Sequence, residues 1–434
     1  MPPSLPVTRP HLLECQECGT LQRLPAMPPG ARATCATCDT LLRQARADPF
    51  TAPLALNVAA LAMFGIGAGW TLLSVNTVGQ TRDAGLLTGP LRLSHFGLWE
   101  LGAVVLATTF AAPLARILCT IAVLTGLRLS HRPPGIRALF AWVEHLRPWS
   151  MVEIFLLGLF VAYVRLSDIA RIDLGPSILA LGALTVTSLA ASLLLDQHAV
   201  WEALDAQKPK KPAQTRAATL LGTQTRHLGC ATCGQVSRGR DGATCPRCGF
   251  TLHHRKPNSL ARAWALTLAA AVLYIPANTY PILTVIRFGA GQPSTIVAGV
   301  RELLEAGMWP LALLVFFASV AVPVMKLAGL VLLLVTTMAH VRARRRDRTV
   351  LYRIVEAVGR WSMIDIFMES ILVALVQFGA IVTIVPGVGA IAFAAVVILT
   401  MLAAHAFDPR LIWDRAAPPA SPTAAPATPA TSPA

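Results

Sequence analysis

Eight of the nine cysteines fall into four Cys-x-x-Cys pairs: Cys15/Cys18 with Cys35/Cys38, and Cys230/Cys233 with Cys245/Cys248. Two pairs per cluster supply four thiolates, the tetrahedral set that closes a structural zinc site and leaves no open position for catalysis. The first spacing is in the usual zinc-ribbon range, and the second is tighter but bridgeable by a short hairpin. Gly19, Gly234 and Gly249 follow their cysteines, where a knuckle wants a residue tolerant of positive φ; Asp39 takes that place in the fourth. A dithiol redox centre would need only one pair per cluster and usually a thioredoxin-like βαβ context, which is absent. A ribbon that has lost its metal is the other reading. The expectation is two structural zinc ions, one per ribbon, with a docking or scaffolding role. The ribbons lack the aromatic and basic surface that nucleic acid would require. Cys119, alone in an apolar run, reads as core packing.

A second constellation lies inside apolar sequence. The run from Met308 to Met338 holds one ionisable residue, Lys326, and such residues usually face a bundle interior or a cavity. Three residues earlier Pro323 removes a donor, frees the carbonyl of Ser319 and is expected to kink the helix. The next run opens Trp361-Ser362-Met363-Ile364-Asp365, with Glu369 one turn beyond Asp365 on the same face, and the last run carries Thr400 and His405. At about 1.5 Å per residue Lys326 lies roughly 18 Å from the cytosolic end of its span, and Asp365 and Thr400 lie within roughly 10 Å of theirs. A long side chain joins these levels, so Ser319, Lys326, Ser362, Asp365 and Thr400 are expected to form one buried polar network. The plainer reading is that Lys326 snorkels and pairs with Asp365 merely to close the bundle. Asn278, between Pro276 and Pro281, is expected to mark a broken span. Trp309 and Trp361 fit an interfacial belt.

The elements that must position these groups are membrane helices. A chain of 434 residues that is 54% hydrophobic and 14% charged is too apolar for an ordinary soluble enzyme. Apolar runs occur at about Leu54 to Val75, Leu98 to Leu127, Met151 to Val164, Ile178 to Leu195, Ala263 to Ile286, Met308 to Met338, Met363 to Val385 and Val388 to Phe407, giving eight expected spans. The third is the weakest. Met1 to Gln44 is polar and cysteine-bearing, so the first span is expected to serve also as the insertion signal. The +15 net charge gathers in alternate loops: Arg128, Arg132, Arg137 and Arg147; then Lys208, Lys210, Lys211, Arg216 and Arg226; then Arg342 to Arg353. By the positive-inside rule both termini and both ribbons face the cytosol.

The chain is also a duplication. Trp149-Ser150-Met151-Val152-Glu153-Ile154-Phe155 returns as Trp361-Ser362-Met363-Ile364-Asp365-Ile366-Phe367, and Trp99, Pro113 and Arg116 match Trp309, Pro323 and Lys326. The fold class is therefore all-α polytopic membrane protein, two repeated four-helix modules each preceded by a small cytosolic zinc ribbon. The divisions are a ribbon at 1–48, a module at 49–205, linker and second ribbon at 206–257, a second module at 258–415 and an Ala/Pro/Ser/Thr tail at 416–434 expected to be disordered. The first half keeps the charge types, with Arg116 and Glu153, but its spans are otherwise poorer in polar groups, which makes the second half the expected working half.

The duplicated ribbons, Pro276-Ala277-Asn278 through Pro281, Ala318-Ser319 through Pro323 to Lys326, Trp361 through Asp365, and Phe407-Asp408-Pro409-Arg410-Leu411-Ile412-Trp413 resemble the paraquat-inducible protein A family. The likeness covers nearly everything between Cys15 and Trp413; the polar-poor first half and the tail depart from it. It implies modules similar to the tetraspanin and claudin type and a bacterial inner-membrane location. It also implies work with a periplasmic tunnel of mammalian-cell-entry (MCE) domains, a paraquat-inducible protein B-like partner, in moving phospholipids between membranes. The family's polar network carries over to Ser319, Lys326, Ser362, Asp365 and Thr400.

The resulting expectation is a lipid-transport subunit that is not an enzyme. No Gly-rich stretch ends in Gly-Lys-Ser/Thr, so nucleotide binding is not expected. Two other classes stay open: a structural anchor that seats the tunnel, and a membrane redox protein, for which His405 is the one histidine deep in an apolar run.

Overall fold

The structure, a computed structural model, describes residues 11–77, 80–129, 135–167, 171–206, 226–287, 290–376 and 382–414. The basic stretch Lys208 to Arg216, Arg132 and the 416–434 tail lie outside them.

The first half opens with two antiparallel hairpins, β1 (His11–Glu14) with β2 (Leu21–Leu24) and β3 (Arg32–Thr34) with β4 (Leu41–Gln44). It continues through α1 (Thr51–Gly69), β5 (Leu73–Thr77), β6 (Gln80–Ala84), α2 (Thr88–His95), α3 (Trp99–Leu106) and α4 (Ala112–Gly126). Then come α5 (Ile136–Leu146), α6 (Val152–Ser167), β7 (Arg171–Leu174), α7 (Pro176–Leu194) and α8 (Gln197–Ala206). The second half follows the same order with one ribbon hairpin and an isolated Thr244–Thr251 bridge in place of the second, and with a short 3-10 turn Pro409–Ile412 in place of α8: β8 (Arg226–Gly229), β9 (Val236–Gly239), α9 (Ser259–Thr279), β10 (Leu283–Arg287), β11 (Ala290–Ser294), α10 (Ile296–Glu305), α11 (Trp309–Phe316), α12 (Val322–Met338), α13 (Arg345–Trp361), α14 (Ile364–Leu375), β12 (Val382–Pro386) and α15 (Val388–Ala406).

Among the described residues, seven helices are long and apolar enough to cross a membrane: Thr51–Gly69, Trp99–Gly126, Ile136–Val164, Pro176–Leu194, Ser259–Thr279, Trp309–Met338 and Val388–Ala406. Eight apolar runs were expected to do so. The third, expected to be the weakest, gains length by joining the amphipathic segment before it. The seventh, Met363 to Val385, divides instead into α14, of 12 residues, and β12. Val382, Thr383, Ile384 and Val385 are β-branched and pair with β10, so an apolar run that hydropathy reads as one helix is part helix and part strand. All of α14 is buried except the half-buried Asp365.

In each half the first and last spans pack together, α1 on α7 and α9 on α15, with α4 and α12 beside them. Each half also builds a three-stranded antiparallel sheet, ordered β6-β5-β7 and β11-β10-β12. The strand-to-helix joints require glycine: a Cβ at Gly175 would lie 2.1 Å from the Thr71 carbonyl oxygen, and one at Gly387 2.2 Å from that of Pro281. The helix Trp99–Gly126 has a π-helical turn at Ala107–Ala111, and Trp309–Met338 has one at Phe317–Ala321, each two residues before a proline. The proline cannot donate its hydrogen bond, and the ladder absorbs the gap as a wider turn. Pro276 does not break the fifth span, since α9 runs through it to Thr279; the apolar run Ala263 to Ile286 ends as a helix there, just before Pro281, and continues as β10.

The halves meet through α6 and α14, the helices that follow the two copies of the Trp-Ser-Met segment. Gly158 permits the close approach, its Cβ position lying 3.1 Å from both the Ile364 carbonyl and Phe367 Cβ. The packing is not fully symmetrical, since α2 and α3 of the first half also cover α14.

Candidate functional site

In both ribbons the four sulfurs lie within 4.8 Å of one another and are buried: Cys15, Cys18, Cys35 and Cys38 in one, Cys230, Cys233, Cys245 and Cys248 in the other. The Cys15–Cys38 and Cys18–Cys35 sulfurs are 3.6 and 3.5 Å apart. Zinc–sulfur bonds of about 2.3 Å in a tetrahedron give edges of about 3.8 Å, so the donor sets fit zinc. Each knuckle closes the same way, with the amide of Gly19, Asp39, Gly234 or Gly249 donating to the carbonyl of the cysteine four residues before it, at 2.8 to 3.0 Å. All four take positive φ, Asp39 included. Gln22 Nε2 donates to Cys35 Sγ at 2.8 Å, a hydrogen bond that stabilises a thiolate.

The ribbons are not independent appendages. Gly229 N donates to Glu14 Oε2 at 2.6 Å, joining one to the other. Each also reaches the opposite half. From the second half, Arg353 bonds Glu17 at 2.5 Å, the Cys38 carbonyl at 3.1 Å and Thr40, and Trp413 packs against the first cysteine cluster. From the first half, Asp205 pairs with Arg247 at 2.7 Å and the His145 ring stacks on Phe250 with centroids 4.8 Å apart. Arg410 ties the ends together, bonding Glu14 at 3.1 Å and Asp408 at 2.9 Å. Burial works against the charge on Asp408, but hydrogen bonds from Arg410 and the Lys256 amide outweigh it and hold the carboxyl below its ordinary range.

Within the second bundle Lys326 is 2% exposed. Its ammonium donates to Thr400 Oγ1 at 2.8 Å and to Ser362 Oγ at 3.5 Å, and Thr400 donates onward to the Val397 carbonyl at 2.9 Å. Ser319, Asp365 and Glu369 line a neighbouring cavity of about 50 Å³ together with Ser294, Thr295 and Phe393. The five network residues thus fall into two groups joined by the start of α14: Lys326, Ser362 and Thr400 below, Ser319 and Asp365 above. Glu369 shares the upper cavity, whereas Ser294 and Thr295, at the foot of the sheet, carry no signal in hydropathy and are added by the fold. Pro323 is buried directly after the π turn, and Asn278 donates its amide to its own helix at Tyr274 O, 2.8 Å away. His405 lies 4.0 Å from Glu356. Trp309 and Trp361 are exposed, as a belt position requires.

In the first half Arg116 and Glu153 line a cavity with Asn57, Glu144, Arg147 and Gln197. The expectation of a polar-poor first half is corrected here. Its polar residues are spread over α1, α4, α5, α6, α7 and α8 within otherwise apolar runs, and only the packing gathers them.

Two homologous bundles, each with a four-cysteine ribbon before it, define a duplicated multi-pass membrane protein. The chain belongs to the paraquat-inducible protein A family, whose profile matches residues 50–205 and again 260–417. It is 34% identical over 410 residues to intermembrane transport protein PqiA of Escherichia coli K12, covering 93% of this chain and 96% of that one. It is 31% identical over 401 residues to lipophilic envelope-spanning tunnel protein A of the same strain, covering 92% and 90%. A probable intermembrane transport protein of Haemophilus influenzae is 26% identical over 411 residues, covering 93% and 95%. No solved structure matches the chain.

Proposed function

We propose that this chain is an inner-membrane subunit of an intermembrane transport system that passes phospholipid between its second bundle and a periplasmic MCE-domain tunnel, a paraquat-inducible protein B-like partner. The relatives, named for intermembrane transport and for an envelope-spanning tunnel, support this reading. The zinc ribbons act as cytosolic scaffolds, and the chain is not an enzyme.

The observation that carries this reading is the column of polar groups inside the second bundle. Lys326, Ser362 and Thr400 form one cluster, and Asp365, Ser319, Glu369 and Thr295 line a cavity that forms a second one toward the foot of the sheet. A buried lysine is costly in a membrane and is retained where it serves a path or a site. A lipid headgroup, or a proton that accompanies it, gains polar partners at each step.

The test is complementation of a host lacking the protein, with envelope integrity and lipid exchange as readouts. Lys326→Met with Thr400→Val removes the ammonium together with its closest partner, so neither member of that hydrogen bond is left buried without the other. This variant is expected to reach the membrane and fail to complement. Restored lipid exchange would make the cluster structural and favour the anchor reading.

A further inference from the structure

The first half holds a cavity of about 140 Å³ between α1, α4, α5 and α7 that the lysine column does not involve. One water needs only about 10–15 Å³ of such space, so this is room for a chemical group. Its charged lining is two guanidiniums, Arg116 and Arg147, and two carboxylates, Glu144 and Glu153.

Arg116 gives the site its meaning. It lies ten residues before the cytosolic end of α4, about 15 Å into the span. Among the described residues its guanidinium forms no hydrogen bond and no ion pair, although it lies in the field of Arg147, Glu144, Glu153 and Arg360. A guanidinium at membrane depth is retained where it faces a cavity or a polar partner, and its planar fork can hold two oxygens of a phosphate at once. Glu144 is held in place by Gln197 Nε2 at 2.7 Å, and as a carboxylate it presents acceptors only. A purely anionic ligand would satisfy the arginines and be repelled by the two carboxylates. The lining is therefore matched to a ligand carrying one phosphate and one hydrogen-bonding cation.

The surroundings select the source of that ligand. Leu189 lines the cavity and is also exposed on the outer flank of α7, beside exposed Val186 and Leu193. The polar chamber thus continues into an apolar surface at membrane depth, where acyl chains can lie. We propose that this cavity binds the headgroup of a zwitterionic phospholipid with a primary amine, of the phosphatidylethanolamine type, with the phosphate on Arg116 and Arg147 and the ammonium between Glu144 and Glu153. This deepens the transport reading by assigning the first half a lipid site of its own, at the cytosolic leaflet.

The test uses the full-length, zinc-loaded protein, stripped of lipid in mild detergent and titrated while native mass spectrometry counts bound lipid. The probes are dioleoyl-phosphatidylethanolamine, dioleoyl-phosphatidylglycerol and water-soluble glycerophosphoethanolamine. The wild type is expected to take one more tightly held phosphatidylethanolamine than Arg116→Gln, whose affinity at this site falls at least tenfold. Glu144→Gln with Glu153→Gln is expected to lose the preference for phosphatidylethanolamine over phosphatidylglycerol. If Arg116→Gln fails to fold, Arg116→Lys keeps the charge, loses the fork and is expected to bind several-fold more weakly. Equal retention in wild type and the Arg116 variant overturns the site. So does phosphatidylglycerol binding as tightly as phosphatidylethanolamine, or the soluble headgroup competing at the same concentration as the lipid. The Lys326→Met, Thr400→Val background is expected to leave this binding intact, so failure here and failure of the transport reading are read separately.

Discussion

The Phe155 and Phe367 rings meet edge to face across the boundary between the halves, with centroids 5.8 Å apart. They occupy the same position in the two copies of the repeat, so the contact lies where a two-fold relation between the bundles would pass. Both are buried. Membrane helices gain little from hydrophobic burial against one another, and the boundary therefore depends on close packing of this kind.

Truncating either ring should loosen the two halves. Phe367→Ala and Phe155→Ala are each expected to cost about 3–5 kcal/mol, the usual range for emptying a buried aromatic site. The pair should also show a coupling of about 0.5–1.5 kcal/mol in a double-mutant cycle read by unfolding in detergent. A cycle that closes additively would mean that the rings are neighbours without mutual stabilisation.

Acid should open the junction of Glu14, Arg410 and Asp408. The Asp408 carboxyl is held below its ordinary range in the folded chain, so it contributes stability above its unfolded value of about 3.9, and that stability is lost as the pH falls through the lower folded value. Asp408→Asn should flatten this acid limb and cost about 1–3 kcal/mol at neutral pH, because Arg410 keeps Glu14 at 3.1 Å but loses the carboxylate on its other side. Unfolding curves between pH 3 and 7 that stay parallel for wild type and variant would rule the role out.

Much of this was legible in the sequence, because local spacing carries it: the cysteine quartets, the lone Lys326, the repeat and the prolines. Contacts between distant segments were not. Nothing in the spacing of Cys15 to Cys38 says that Arg353 will hold that ribbon, and nothing around Glu144 says that Arg116 will share its cavity. The run Met363 to Val385 misled because hydropathy has no period, and only β-branching at Val382 to Val385 hinted at a strand.

Each ribbon is expected to hold one zinc, giving two per purified chain by elemental analysis; a metal-free, disulfide-linked protein would refute this. The crossed contacts give a sharper test. Cys35→Ser should raise hydrogen exchange in α13 of the second half through the Arg353 contacts, while Cys245→Ser should raise it in α5 and α8 of the first. Exchange confined in each case to the half that follows the altered ribbon would contradict the crossing.

The number of crossings is expected to be even, although among the described residues seven helices have spanning length. Strand β12 follows α14 and pairs with β10, which follows α9, so α14 must end on the side of the membrane where α9 ends. A 12-residue helix rises only about 18 Å against a hydrocarbon layer of about 30 Å. It can still connect the two sides because protein surrounds it and it need not match the lipid. The ribbon and the chain's last described segment then share one side, as the Glu14–Arg410 pair requires. A reporter fused after Trp413 should therefore be active only as a cytosolic reporter, and one placed after Pro386 should be active only as a periplasmic one. Periplasmic activity after Trp413 would break the equivalence of the two halves.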